Sequence, residues 1–522
     1  MFFDDIEIFR SSTAEPTREG IMWSYAKDMS SYLALFKQPQ KIIFDLGNLV
    51  DDTYTGSWHT TLTATYFTAE DLLEPADIIV PVSARRSPVN RPSHFTVPES
   101  SAVDALKIPP NSRKAVFSIS ACGQAAEEFW WSNVLTSDTT VFGDDTALYG
   151  HSPFRELQLL IDGQLAGVAW PFPVIFTGGV VPGFWRPIVG IDAFDLIEDE
   201  IDITPFLPML VDGRDHTFEI RVLGITDDGN GYGELSQSIE SNWVVTGKLF
   251  IWLDTNTSIV AGSAPSIHTP KLSINIFSQT AEGINGTPNS LEYMIQVSRL
   301  IHISSTLQTS KGSERVVWTQ NLAFSNHGTL KNKGNDQDVQ QLTSGHSTSS
   351  SLNYSKTFSY PLWVASSYRK LSGDSLAIDA TIRRGKTVEQ IGRLAFHNDR
   401  IITAPQYEIL RGTKITNSQN GTASYTSSPA QRKSYGWGST EQHYLLSGIE
   451  DNAGTMIQHD KLLYLRDILA VNGSIIFDRE GSRGQKTGEM VYSTALKQVH
   501  NHGLHDFTLG GAERWCAEDH SK

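Results

Sequence analysis

Apolar and polar positions alternate along much of this chain with a period of two. Lys114-Ala-Val-Phe-Ser-Ile-Ser, Phe154-Arg-Glu-Leu-Gln-Leu-Leu-Ile and His216-Thr-Phe-Glu-Ile-Arg-Val-Leu each read as half-buried strands. Asp162-Gly163 and Asp212-Gly213 fall between such runs. The Asp-Gly pair tolerates positive φ, so both predict hairpin turns. Helical periodicity is scarce, with one short candidate from Asp28 to Phe36. Many short strands separated by Gly, Pro, Asn and Asp predict an all-β chain of tandem jelly-roll or β-sandwich type. The expected division is a first sandwich over 1–108, a second over 109–258 and a third β-rich region over 259–522, with a linker near Ser258 to Pro270. Strands resume at Lys271-Leu-Ser-Ile-Asn-Ile-Phe and Glu314-Arg-Val-Val-Trp-Thr. Asn326 to Ser351 and Gly412 to Thr440 are rich in Ser, Thr, Asn, Gly and Gln, and both are expected to be long loops.

A chain of 522 residues buries a sizeable core and needs neither disulfides nor metal to fold. Cys122 and Cys516 are its two cysteines, which leaves no disulfide framework and no CxxC motif. A formal net charge of −16 argues against nucleic acid and anionic membranes as partners, because neutralising phosphate takes clustered Lys and Arg. The longest apolar patch, Val168 to Phe176, is broken by Pro171 and Pro173 and is too short to span a bilayer. MFFDDIEIFRSS lacks the basic and apolar regions of a signal peptide, so the sequence by itself places the chain in the cytoplasm. Sequons at Asn256, Asn285, Asn353, Asn420 and Asn472 permit glycosylation if the chain is secreted.

The candidate chemistry gathers in Glu127-Glu128-Phe129-Trp130-Trp131, after the alternating run Lys114 to Cys122. On a strand, neighbouring side chains point to opposite faces, so one of the two glutamates faces a cleft. That residue reads either as a general acid/base whose pKa the aromatics raise, or as a solvated loop acid beside core rings. Trp130, Trp131, Trp170, Phe184 and Trp185 supply flat rings suited to sugar faces, or core packing. Trp185-Arg186-Pro187 is the better ligand candidate, since Pro187 stiffens the turn presenting the two side chains. Arg155 and Arg186 either grip a sugar or peptide carbonyl or pair with Glu156, Asp192 or Asp195. His500, His502 and His505 have neither a thiolate pair nor an HExxH helix beside them and read as a polar loop. GNGYGE at 229–234 is flanked by acids that repel phosphate, so it reads as a loop.

GQAAEEFWWSN, Phe154-Arg155-Glu156 and WPFPVIFTGGVVPGFWRPIVGIDAFDL (170–196) together resemble the peptide N-glycosidase A family. SSTAEPTREGIMWSYAKDM and DDTYTGSWHTTLTATYF carry the resemblance upstream, and the later part is similar to the fungal branch. The resemblance implies a cofactor-free, secreted amidase that hydrolyses the glycosylasparagine amide of N-glycosylated peptides and glycoproteins. It selects Glu128 of the pair and puts Arg155 in the same site. It also implies a water-activating aspartate on a strand upstream of the segment matching FFDDIEIFR, so that the chain reads as N-terminally truncated. By fold-level analogy it suggests two jelly rolls with carboxylates at their interface. A non-catalytic glycan-binding sandwich and a glycoside hydrolase are the alternatives.

Overall fold

The computed structural model describes residues 1–13, 21–47, 50–52, 55–66, 68, 74–143, 146–176, 178–188, 190–192, 196–255, 258–396, 410–450 and 460–482. The alternating segments fold as the strands they predict, and the chain is all-β. One five-stranded sheet runs in the order Asp199–Asp202, Ser112–Gln124, Asn242–Leu253, Ile78–Val82, with Phe95–Val97 also on Asn242–Leu253. A second runs Gly233–Ser236, Asp215–Asp227, Glu156–Ile161, Gln164–Ala169, with Ala102–Lys107 also on Asp215–Asp227.

These two sheets form a sandwich, because each strand sends every second residue inward. Phe117, Ile119, Val245 and Leu249 face Phe218, Ile220 and Leu159, all buried, and the Phe117 and Phe218 rings stack with centroids 6.0 Å apart. Gly247 lies under the Phe117 ring, where a Cβ would come within 2.4 Å of it. The sheets run across the boundary expected at residue 108. Pairing joins Ile78–Val82 and Ala102–Lys107 to strands far downstream, a partnership set by sandwich closure and not by sequence proximity.

The outer face of the first sheet is polar yet covered. Ser118, Ser120, Thr246 and Lys248 alternate with the core residues and lie beneath the N-terminal segment and the 3-10 helix Ser30–Lys37. That helix occupies the one segment with helical pattern, in the tighter 3-10 form.

The described residues between Ala261 and Ser482 include twelve strands of a third, antiparallel sheet in nearly sequential order. Here the two expected loops are corrected. Asn326 to Ser351 falls in Gly312–Lys331 and Asp336–Ser349, and Gly412 to Thr440 falls in Leu410–Ser428 and Lys433–Glu450. Their polar residues sit at strict period two within long ladders, and those ladders satisfy the backbone that composition alone left unpaired. The expected linker also joins this sheet, as the short edge strands Ala261–Gly262 and Ser266–His268. Asp162-Gly163 makes its hairpin turn, but Asp212-Gly213 links a short helical turn to the strand Asp215–Asp227.

The third sheet packs its inner face on the sandwich. Phe324 meets Phe154 at 5.2 Å, Arg299 pairs with Glu156 at 2.8 Å, and Gln320 exchanges hydrogen bonds with the Val168 backbone at 2.8 and 2.9 Å. One apolar cluster therefore runs through both units. No helix among the described residues is long and apolar enough to cross a membrane.

Candidate active site

The strand Ser112–Gln124 ends where Gly123 lets the chain fold back on itself. A Cβ there would lie 2.2 Å from the Glu127 carbonyl oxygen, so only glycine permits the turn. Ala125 then takes a left-handed φ of 53°, and Ala125–Ser132 winds as a 3-10 helix. This corrects the expected strand: the two glutamates diverge because they lie on successive positions of a tight helix.

Glu127 points inward and is fully buried. Arg155 Nε and Nη2 each donate to its carboxylate at 2.7 Å, Trp243 Nε1 donates at 2.7 Å, and the Glu240 amide donates at 3.0 Å. Against its burial, the Arg155 guanidinium and these donors hold the carboxyl below its ordinary value, so it stays ionised. Arg155 Nη1 donates to the carbonyls of His151, Ser152 and Phe154 at 3.0, 2.9 and 2.7 Å. The guanidinium is thus committed to protein groups, and its acidic partner is Glu127, while Glu156 pairs with Arg299.

Glu128 has the opposite surroundings. It is half-buried, and among the described residues no hydrogen bond or ion pair reaches its carboxylate. Burial pushes its pKa up to about 7, because desolvation disfavours the charged form. Its charge is felt at Cys122. Burial lifts that thiol to about 11, Arg10 pulling against the rise and Glu128 and Glu7 adding to it.

Arg10 and Glu7 form a buried ion pair whose charges, like that of Glu128, act on Cys122. Arg10 Nε and Nη2 donate to Glu7 at 2.6 and 2.7 Å, Nη1 donates to the Val244 carbonyl at 2.7 Å, and Thr246 Oγ1 donates to Glu7 at 2.5 Å. Behind them, Glu198 accepts from Tyr32 at 2.9 Å and Lys248 at 3.3 Å, with Lys27 at 3.5 Å. Lys248 carried a readable signal, a lone cation in the apolar strand Asn242–Leu253. Arg10 carried none beyond its place in IEIFR.

The aromatic candidates serve mainly as structure. Trp130 is buried beside Trp243 at 6.3 Å, and Trp131 is buried with Phe129 at its edge. Trp185 is 1% exposed, donates Nε1 to the Ile175 carbonyl at 2.9 Å and carries the Arg384 guanidinium 5.2 Å above its ring. It is therefore not presented on an open turn, contrary to expectation, because the loop packs onto the third sheet through Arg384 of the strand Leu376–Ile391. Arg186 stays half-buried, and burial draws its pKa below the usual guanidinium value. Among the described residues, no hydrogen bond or ring contact joins Trp185 to the turn that carries Glu128.

Asn285, Asn353 and Asn472 are exposed at turns between strands, whereas Asn420 is half-buried within Leu410–Ser428. Asn256, His500, His502, His505 and Cys516 lie outside the described residues.

A family model described as peptide N-acetyl-beta-D-glucosaminyl asparaginase amidase A matches residues 1–270, and a PNGase_A C-terminal domain model matches 292–362. The peptide-N4-(N-acetyl-beta-glucosaminyl)asparagine amidase A of Prunus dulcis is 29% identical over 507 residues, covering 92% of this chain and 80% of that protein. No solved structure matches.

Proposed function

Because the chain belongs to the peptide N-acetyl-beta-D-glucosaminyl asparaginase amidase A family, we propose that it is an amidase hydrolysing the bond between an N-glycan and asparagine, with Glu128 as proton donor. Water adds to the side-chain carbonyl carbon, and the tetrahedral intermediate expels the sugar-bearing nitrogen. Breaking that C–N bond needs a proton on nitrogen, because an amide nitrogen leaves poorly as an anion. A carboxyl group titrating near 7 holds such a proton at neutral pH and releases it readily. The products are aspartate in the peptide and a glycosylamine.

The single observation that carries this role is the half-buried carboxyl of Glu128, without a partner among the described residues, beside the fully paired Glu127. Glu127 is the positioning residue. Its bonds to Arg155 and Trp243 fix the 3-10 turn, and Arg155 acts through that turn and not on substrate. Arg186, half-buried on the 170–196 loop, is our candidate for contact with the glycopeptide. Trp130 and Trp131 support the turn from within, while Trp185 packs against Arg384 of the third sheet.

Incubating a glycopeptide in ¹⁸O-water tests the assignment. Hydrolysis places label in a new aspartate, and Glu128→Gln slows that incorporation by about 10²–10⁴. Release of glycan that leaves one sugar on unconverted asparagine would instead identify a glycoside hydrolase. We place the reaction in the secretory pathway or outside the cell, where N-glycoproteins occur. The exposed sequons Asn285, Asn353 and Asn472 support that location, and the later sequence blocks support a place in the fungal branch.

A further inference from the structure

The outward face of the third sheet carries a trough that lies apart from Glu128 and takes no part in the proton transfer proposed for it. In it, one register row crosses five strands as His327, Gln340, Trp363, Arg383 and Asn420, each directly opposite the next. The row beside it is low. There the ladder pairs Ser359 with Thr387 and resumes only at Leu362 with Arg384, so Pro361 and Gly385 interrupt a central pair of strands.

Proline and glycine inside a central strand are unusual, and such glycines commonly mark a place where a ligand approaches the backbone. Here a Cβ on Gly385 would come within 2.8 Å of the Pro361 ring, so the floor cannot be raised without displacing it. The wall above this floor is rigid. Trp363 Nε1 donates to Asp338 at 3.0 Å, and the Arg383 guanidinium stacks on the Trp363 ring at 4.8 Å.

The chemistry of the lining narrows the ligand. Gln296, Gln340 and Asn420 are planar amides that both donate and accept, as vicinal hydroxyls require. Among the described residues no carboxylate lines the trough, although the chain as a whole is strongly acidic. The acids at its margins are occupied, Asp338 by Trp363 and Glu441 by His443 at 3.1 Å. A neutral, hydroxyl-rich chain fits this surface better than a cation or an apolar peptide.

We propose that this trough is a second binding site for neutral oligosaccharide and holds the outer arms of the glycan whose base the amidase cleaves. The inference rests on the amidase reading for its occupant. The trough backs onto the sandwich, since Gln341, next to Gln340 but on the inner face, donates to the Pro153 carbonyl at 3.1 Å. Outer arms held there leave the reducing end free to reach the far side of the sheet.

The full chain, produced in bacteria so that Asn420 stays bare, is titrated calorimetrically with a free, reduced mannose-rich N-glycan. This probe has no glycosylasparagine linkage and cannot be turned over by the amidase. The unmodified chain and Glu128→Gln bind it alike, while Arg383→Gln and Trp363→Ala each weaken binding by about tenfold or more. Absence of binding to the unmodified chain, or equal binding by Arg383→Gln, overturns the trough. Arg383→Gln, an exposed substitution that keeps the fold, also raises KM several-fold on a mannose-rich glycopeptide at unchanged kcat. It leaves a glycopeptide carrying only the innermost two sugars unaffected; an equal rise on both substrates counts against a separate site. Arginine-dependent binding by a chain that deglycosylates nothing would remove the amidase reading and leave the trough standing.

Discussion

Glu127 and Glu128 carry the same side chain one peptide bond apart, and their surroundings drive them to opposite protonation states. Four donors keep Glu127 ionised, while Glu128 meets burial without compensation. Glu128→Gln should lower kcat by about 10²–10⁴, the usual contribution of a general acid. With the acid form required, the kcat of the unmodified enzyme falls as pH rises through about 7, and the residual rate of the variant lacks that limb. The same raised pKa has a sign for stability. The folded state holds a proton that the unfolded chain has released, so stability declines as pH rises from the ordinary carboxylate range towards 7. Glu128→Gln should accordingly be more stable at pH 8 by on the order of 1–3 kcal/mol and indistinguishable at pH 4 in urea titrations. Glu127→Ala strands the Arg155 guanidinium without its partner in a dry interior. We expect a loss of about 3–5 kcal/mol, read as a lower urea midpoint. The Glu127 contribution is present above the ordinary carboxylate range and fades as pH falls through its depressed pKa.

The turn Ala125–Ser132 works as an element because Gly123 lets it lie back on its own strand. Gly123→Ala forces the Glu127 carbonyl away and carries Glu128 with it. Such a chain should keep its far-ultraviolet circular dichroism, lose about 1–3 kcal/mol of stability and lose most of its amidase rate. Glycine at this position was visible in GQAAEE, but its partner atom four residues on was not. The sandwich strands were legible because Ser112–Gln124 and Asp215–Asp227 alternate apolar with polar cleanly. The strands Asp336–Ser349 and Leu410–Ser428 were less so, because Gln341, Thr343, Thr413, Asn417 and Gln419 share their buried positions with the apolar Val339, Ile415, Ala423 and Tyr425. Inward-facing polar side chains that bond to the sandwich backbone dilute the hydrophobic signal while keeping the period. Within the site, composition pointed to the acid pair and the family resemblance selected Glu128. Which aromatics are exposed depended on long-range packing that spacing does not encode, and Trp185 under Arg384 shows this most plainly.

At the scale of the molecule, sandwich and third sheet are joined by buried polar contacts as well as by apolar ones. Arg299 reaches Glu156, which also accepts from Trp170 at 3.0 Å, and Ser349 donates to Asp202 at 2.6 Å. Calorimetry of the described fold should show the two units melting together. Arg299→Ala, which leaves Glu156 buried without its cation, should lower that transition by about 3–5 kcal/mol or split it in two. The strand Ser112–Gln124 lies inside its sheet, flanked by Asp199–Asp202 and Asn242–Leu253, with both faces covered. Amide protons in such a position exchange with deuterium only through the rarest openings. The proposed proton donor, Glu128, therefore hangs from one of the slowest-exchanging parts of the chain, and deuterium should reach Val116 to Ser120 only after the edge strands have filled.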